Sequence, residues 1–130
     1  MWNNGDTAWF ENGERHRIGG PAIEGIEGNK EWFERGRRHR IGAPAAEWYD
    51  GSTEWWEDGK RHRTGAPAIE RMNGHKEWWE HGQLHRTDGP AIEFADGDRQ
   101  WFVKGQMLTE QQFNKLQAKN KIQTLKSAPS

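Results

Sequence analysis

Histidine recurs at His16, His39, His62 and His85, and each is followed directly by an arginine, Arg17, Arg40, Arg63 or Arg86. A glutamate returns on the same beat at Glu24, Glu47, Glu70 and Glu93. Imidazole, guanidinium and carboxylate in fixed phase could hold a metal, move protons or bind an anion. A zinc site needs several ligands within ~2.1 Å of one ion. Equivalent positions two strands apart lie ~9.6 Å from each other, so the histidine column cannot converge on one ion. With no cysteine in the chain, neither a metal nor another cofactor is expected. Catalysis has equally little to work with. Serine occurs only at Ser52, Ser127 and Ser130, and the carboxylates belong to repeated columns, whereas an active site is a unique constellation in a pocket. The chain is read as a non-enzyme with no catalytic residues.

Anion binding is the third chemistry. Arg17, Arg40, Arg63 and Arg86 would present guanidinium forks to phosphate, with His16, His39, His62 and His85 beside them and tryptophans for base stacking. That makes a nucleotide or nucleic-acid binder, or sponge, the alternative reading. Charge opposes it. Residues 1–113 hold 15 basic and 20 acidic side chains, a balance that repels a polyanion. The first expectation is instead a ladder of Arg–Glu pairs between strands, holding their register. The histidine rings are expected to pack on tryptophan and to donate to a carbonyl or a Glu.

The elements that carry these side chains form a repeat. Glycine returns every 23 residues at Gly5, Gly28, Gly51, Gly74 and Gly97, and again at Gly13, Gly36, Gly59, Gly82 and Gly105. Pro21, Pro44, Pro67 and Pro90 keep the same beat, as do Trp9, Trp32, Trp55, Trp78 and Trp101. Beside the tryptophans run Phe10, Phe33, Trp56, Trp79 and Phe102. So many columns in phase define a tandem array. Within a unit the hydrophobic period is two. Glu54–Glu57 running into Asp58-Gly59, and Pro67–Glu70 running towards Asn73-Gly74, read as two short antiparallel strands with tight turns. Residues 1–108 thus hold about four and a half units and roughly ten strands. The N-terminal end enters midway through a unit, with Trp2 in the column of Trp48 and Phe94.

At the other end the pattern stops. His-Arg becomes Leu108-Thr109, and Thr109-Glu110-Gln111-Gln112 reads as a capping box. A helix from about Glu110 to Leu125, with Phe113, Leu116, Ile122 and Leu125 as its apolar residues, is expected to cap the last strand. The domain map is therefore 1–108 array, 109–126 capping helix and 127–130 frayed tail. Lys115, Lys119, Lys121 and Lys126 are expected to complement the helix macrodipole.

Composition narrows the class further. Ile, Leu, Val and Phe together number only 17 of 130 residues, yet nine are Trp and the net charge is −1. Such a chain folds around aromatic rows rather than an aliphatic core. It carries no apolar run long enough for a membrane span and no signal-type segment in residues 1–20. The expected location is the cytoplasm (host cytoplasm, were the source viral), with no membrane contact.

The pattern Trp56-Glu57-Asp58-Gly59-Lys60-Arg61-His62, then Gly65, then Asn73-Gly74, resembles the MORN repeat, the membrane occupation and recognition nexus. It is most similar to a variant with His-Arg-x-x-Gly/Ala-Pro-Ala units, as in His85–Ala91. The resemblance implies a mainly β protein: a single-layer antiparallel meander of 23-residue hairpin repeats closed by the C-terminal helix. Arrays of this variant are typical of phage and large-virus proteins, and related repeats occur in bacterial antitoxin or immunity proteins. It therefore implies a binding protein that inhibits a host-defence or toxin component, and no catalytic residue.

The contact surface is expected where units differ. Adjacent strand residues point to opposite faces, so one aromatic row should pack with Ile23, Ile69 and Ile92 while the other stays partly exposed. Variation concentrates at turns and strand ends: Glu14-Arg15, Arg37-Arg38, Lys60-Arg61 and Gln83-Leu84, and Gly25-Ile26, Trp48-Tyr49, Arg71-Met72 and Phe94-Ala95. Trp48, Tyr49, Trp55, Arg71, Met72, Trp78 and Phe94 are the expected partner-binding residues. An exposed aromatic face or an edge strand would also allow pairing with a second copy.

Overall fold

A computed structural model describes residues 5–127. One antiparallel sheet of ten strands runs the length of the array, and its strands follow in chain order with no crossover. The third unit shows how it is built. Thr53–Glu54 and Ile69–Glu70 are neighbours in this sheet, and Lys76–Glu77 of the next unit follows. Ile69 stands opposite Glu54 on one side and Glu77 on the other. Between the two sheet strands the chain leaves to form a hairpin, Trp56–Glu57 paired with Lys60–Arg61. The first four units each contribute such a separate hairpin.

This refines the two-strand unit expected from the period. Glu54–Glu57 is not one strand, because Trp55 lies between a strand of the long sheet and a strand of the hairpin. Its N–H bonds Ala68 in the sheet at 2.7 Å, and its carbonyl accepts from His62 at 3.1 Å. The chain bends where it changes partners. Proline precedes the second sheet strand of each of the first four units, outside the ladder where its missing N–H would leave a gap: Pro67 stands two residues before Ile69–Glu70.

Two kinds of turn close the unit. In the hairpins Asn12, Arg35, Asp58, His81 and Lys104 all have φ of 50–53°, and each is followed by a glycine near 80°. That is the two-residue type I′ turn, whose twist suits a hairpin. At the other end, Gly51 donates to the Trp48 carbonyl at 2.9 Å and has φ 92°. This is a type I turn followed by a glycine bulge.

A left-handed conformation costs a non-glycine residue ~1–2 kcal/mol, and the histidine column offsets that cost. Nδ1 of His16, His39, His62 and His85 accepts the backbone N–H of Arg35, Asp58, His81 and Lys104 at 2.9–3.0 Å. Each donor is the left-handed residue of the next unit's turn. The expected role for the imidazole is therefore corrected at one nitrogen: Nδ1 accepts, and only Nε2 faces a glutamate. His16 and His39 reach Glu11 and Glu34 at 3.1 Å. The column is an inter-unit clip. His62→Ala should cost ~1–2 kcal/mol through the orphaned amide. His62→Asn, which offers Oδ1 near the place of Nδ1, should recover part of this in urea unfolding. An Asn variant no more stable than the Ala variant would contradict the clip.

The core is thin. Ala22, Ala45, Ala68 and Ala91 have no exposed surface, and Ile69 and Ile92 are buried as well. The helix runs Glu110–Ser127, two residues past its expected end. Its capping box forms as read: Thr109 N–H donates to Gln112 Oε1 at 2.9 Å and Gln112 N–H to Thr109 Oγ1 at 3.1 Å. Phe113 is buried against Trp101, ring centres 6.5 Å apart. Ile122, expected on the apolar face, is instead exposed. Residues 1–4, including Trp2, and residues 128–130 of the expected frayed tail lie outside the described residues.

Candidate functional site

The two aromatic rows lie on opposite faces, and each meets arginines. On the first face the guanidinium carbons of Arg17, Arg40, Arg63 and Arg86 stand 3.8–4.0 Å from the ring centres of Trp9, Trp32, Trp55 and Trp78. The same guanidinium donates to a proline carbonyl four residues on, Pro67 for Arg63 at 3.1 Å. It also donates to the glutamate seven residues on, Glu70 for Arg63 at 3.2 Å. Arg17–Glu24, Arg40–Glu47 and Arg86–Glu93 repeat the pair at 3.1–3.3 Å. The Arg–Glu ladder exists, but every rung lies within one unit rather than between units. These forks are committed to Trp, Pro and Glu of their own repeat.

At the fifth unit the corresponding residue is Thr109, and Phe113 of the helix approaches Trp101 instead. The helix thus caps the array where its arginine column ends.

The second face differs from its expected role. Arg15, Arg38 and Arg61 are not merely variable turn residues, because they form a second arginine column along the second aromatic row. Arg38 lies 5.5–5.9 Å from the rings of Phe33, Trp48 and Trp56, and Arg61 lies 5.2 Å from Trp56 and 5.1 Å from Trp79. Nε of Arg38 and of Arg61 is buried without an acceptor; the ring faces around each guanidinium supply the compensating attraction. Neither row is a bare aromatic surface, and the second stays partly exposed, with Phe10 at 56%. The signal for this column was present in the spacing of Arg15, Arg38 and Arg61, but Leu84 breaks it in the fourth unit.

A second glutamate column sits beneath. Glu54 is 5% exposed and accepts from the Trp48 indole at 2.9 Å, the Trp56 indole at 3.0 Å and Arg71 at 3.2 Å. Burial pushes its carboxyl up, but the two indole donors and the charges of Arg71 and Arg38 outweigh burial and hold it below its ordinary value. Glu77 accepts from the Trp79 indole and meets Nε2 of His75, both at 2.7 Å. Glu31 takes Arg38 at 2.6 Å.

Exposed apolar residues include Ile18 and Ile41, one column of the first two units, and Phe10 of the second row; the longest such column lies on the edge formed by the type I turns. Ile26, Tyr49 and Met72 are 72%, 68% and 73% exposed and hold one position in successive units. Each is latched to the unit before: Ile26 N–H to Asp6, Tyr49 N–H to Asn29 and Met72 N–H to the Ser52 hydroxyl, at 2.6–2.9 Å. Each tip also leans over the preceding unit's glycine, the Tyr49 Cβ over Gly28 and the Met72 sulfur over Gly51. The column breaks at Ala95, and nothing lies over Gly74. An open groove of about 850 Å³ follows, lined among others by Trp48, Glu54, Arg71, Met72, His75 and Phe94. The ring of His75, in the column of the latch residues, lies 5.2 Å from Phe94.

The structure therefore gathers Trp48, Arg71, Met72 and Phe94 at one groove, with Tyr49 on the same turn edge. Trp55 and Trp78 lie on the opposite face under Arg63 and Arg86. Among the described residues no cluster of three or more potential ligands could hold a metal, and no helix is long and apolar enough to cross a membrane. No protein-family model, curated protein or solved structure matches the chain.

Proposed function

We propose that the chain is a non-enzymatic protein-binding repeat protein whose contact surface is the type I turn edge, centred on Tyr49, Met72 and the adjoining groove. The observation that carries this is the division of labour between columns. Repeated side chains are spent on bracing each unit and clipping it to the next, whereas the apolar tips Ile26, Tyr49 and Met72 differ from unit to unit and face solvent. Clustered exposed apolar residues at a non-repeating position are what a specific interface needs. The MORN-like pattern extends the reading to an inhibitor of a host-defence or toxin component, acting in the cytoplasm. The nucleotide or nucleic-acid alternative draws no support from arginines already paired within their own units.

Trp48 ties Glu54 and packs near Arg38, so its removal would disturb the array. The cleaner test is Tyr49→Ala with Met72→Ala. This variant should keep the wild-type Tm and weaken partner binding by more than ~2 kcal/mol. Arg63→Ala should do the reverse, lowering Tm with little effect on the affinity of the folded fraction. Unchanged binding in the Tyr49/Met72 variant, with binding lost in a still-folded Arg63 variant, would move the function to the arginine ladder.

A further inference from the structure

We infer that the groove between Met72 and Phe94 receives a lysine or arginine side chain from a basic segment of the protein partner. The inference rests on the protein-binding reading and deepens it by naming the partner's chemistry.

Three features of the groove point the same way. Its walls are aromatic or soft, with Trp48, Phe94 and Met72 among the lining residues, and a cation is attracted to ring faces. Its rim is acidic. Asp50 and Asp96 both line it and are both exposed, while the one arginine there, Arg71, is paired with buried Glu54 at 3.2 Å. Hydrogen bonds from the Ser52 backbone and hydroxyl hold the Asp50 carboxyl below its ordinary value, so it remains charged at neutral pH. Arg71 also acts on Asp50, but with three carboxylates, Asp50, Glu54 and Asp96, against one guanidinium the lining stays acidic. The surrounding array is acidic as well, with 15 basic and 20 acidic residues over positions 1–113, which steers a basic segment towards it.

The groove is also specific to one place in the array. Units one to three fill the corresponding position with Ile26, Tyr49 or Met72, whereas the fourth has Ala95 and leaves the space over Gly74 open. A long side chain from a partner would occupy the place that the array's own side chain takes elsewhere. Its aliphatic stem would lie along Met72 and Phe94 with its charge towards Asp96, beside the open position, while Asp50, two units away across the groove, adds to the acidic field.

The test selects a phage-displayed random-peptide library on the folded full chain and measures the enriched peptides by tryptophan fluorescence. Enriched peptides should carry Arg or Lys. Their binding should weaken at least about tenfold with Ala95→Ile, which installs the side chain of Ile26 in the groove, and with Asp50→Asn plus Asp96→Asn. Asparagine retains the turn-capping oxygen, and unchanged near-ultraviolet dichroism would confirm the fold. Acidic or uncharged peptides that respond to Tyr49→Ala with Met72→Ala would overturn the cationic guest but leave the protein-binding edge standing. Basic peptides indifferent to Ala95→Ile would overturn the groove as their seat. If no peptide is enriched, or none responds to either set of variants, both readings fall.

Discussion

Glu54→Ala should destabilise the array by ~2–4 kcal/mol, because it strips the acceptor from two indole N–H groups and a guanidinium at once. Glu54 is 5% exposed, and its three donors come from separate segments: Trp56 on the following hairpin strand, Trp48 on the turn of the preceding unit and Arg71 at the turn that ends the unit of Glu54. Arg71 can turn to water, so most of the cost falls on the indoles. Glu54→Gln, which keeps one oxygen, should fall between the wild type and Ala. The pH dependence follows from the direction of the shift. The folded carboxyl sits below its ordinary value of 4.5, so the wild type gains this stability above that pH and loses it as pH falls through the folded value. The Gln variant should lack that acid-limb loss. Urea unfolding across pH 3–7 measures both effects, and parallel pH profiles for wild type and Gln would contradict the assignment.

Phe113→Ala should release the helix. Phe113 is 2% exposed and packs against Trp101, and removing a buried phenyl ring costs ~3–5 kcal/mol. In a linear array each unit touches only its neighbours, so the loss should stay at the C-terminal end. Helical dichroism at 222 nm should drop, and amides of Arg99–Val103 and Gln106–Leu108 should lose hydrogen-exchange protection. Amides of the first two units should keep theirs. Uniform loss of protection along the chain would show a single cooperative core instead.

The array was legible because its framework is periodic. Glycine at 23-residue spacing, proline before the second sheet strand of a unit and the Thr109–Gln112 box each have one local physical meaning, and each took the place it implied. The separate hairpin was not legible. Trp55 looks like the middle of a strand, and only the bonds to Ala68 and His62 on its two sides reveal the change of partner. The candidate site was half legible. Variation at Trp48-Tyr49, Arg71-Met72 and Phe94-Ala95 pointed to the turn edge, but Trp55 and Trp78 were grouped with it because their types suit an interface. Their cover comes from Arg63 and Arg86, eight residues on, and that stacking is visible only in three dimensions. The groove itself comes from what Ala95 leaves out, and a missing side chain has no signature unless the positions of Ile26, Tyr49 and Met72 are known to overhang a glycine.

The most direct measurement on the central claim is capture from cell lysate by wild-type chain and by the Tyr49→Ala, Met72→Ala variant, with nuclease, at 50 and 200 mM salt. A protein held through the turn edge should resist nuclease, survive the salt step and disappear with the variant. Phosphate-led binding through 6–10 contacts would weaken by roughly 10³–10⁵ over the same salt range. Retention that nuclease or salt abolishes, and that the variant leaves intact, would contradict the account.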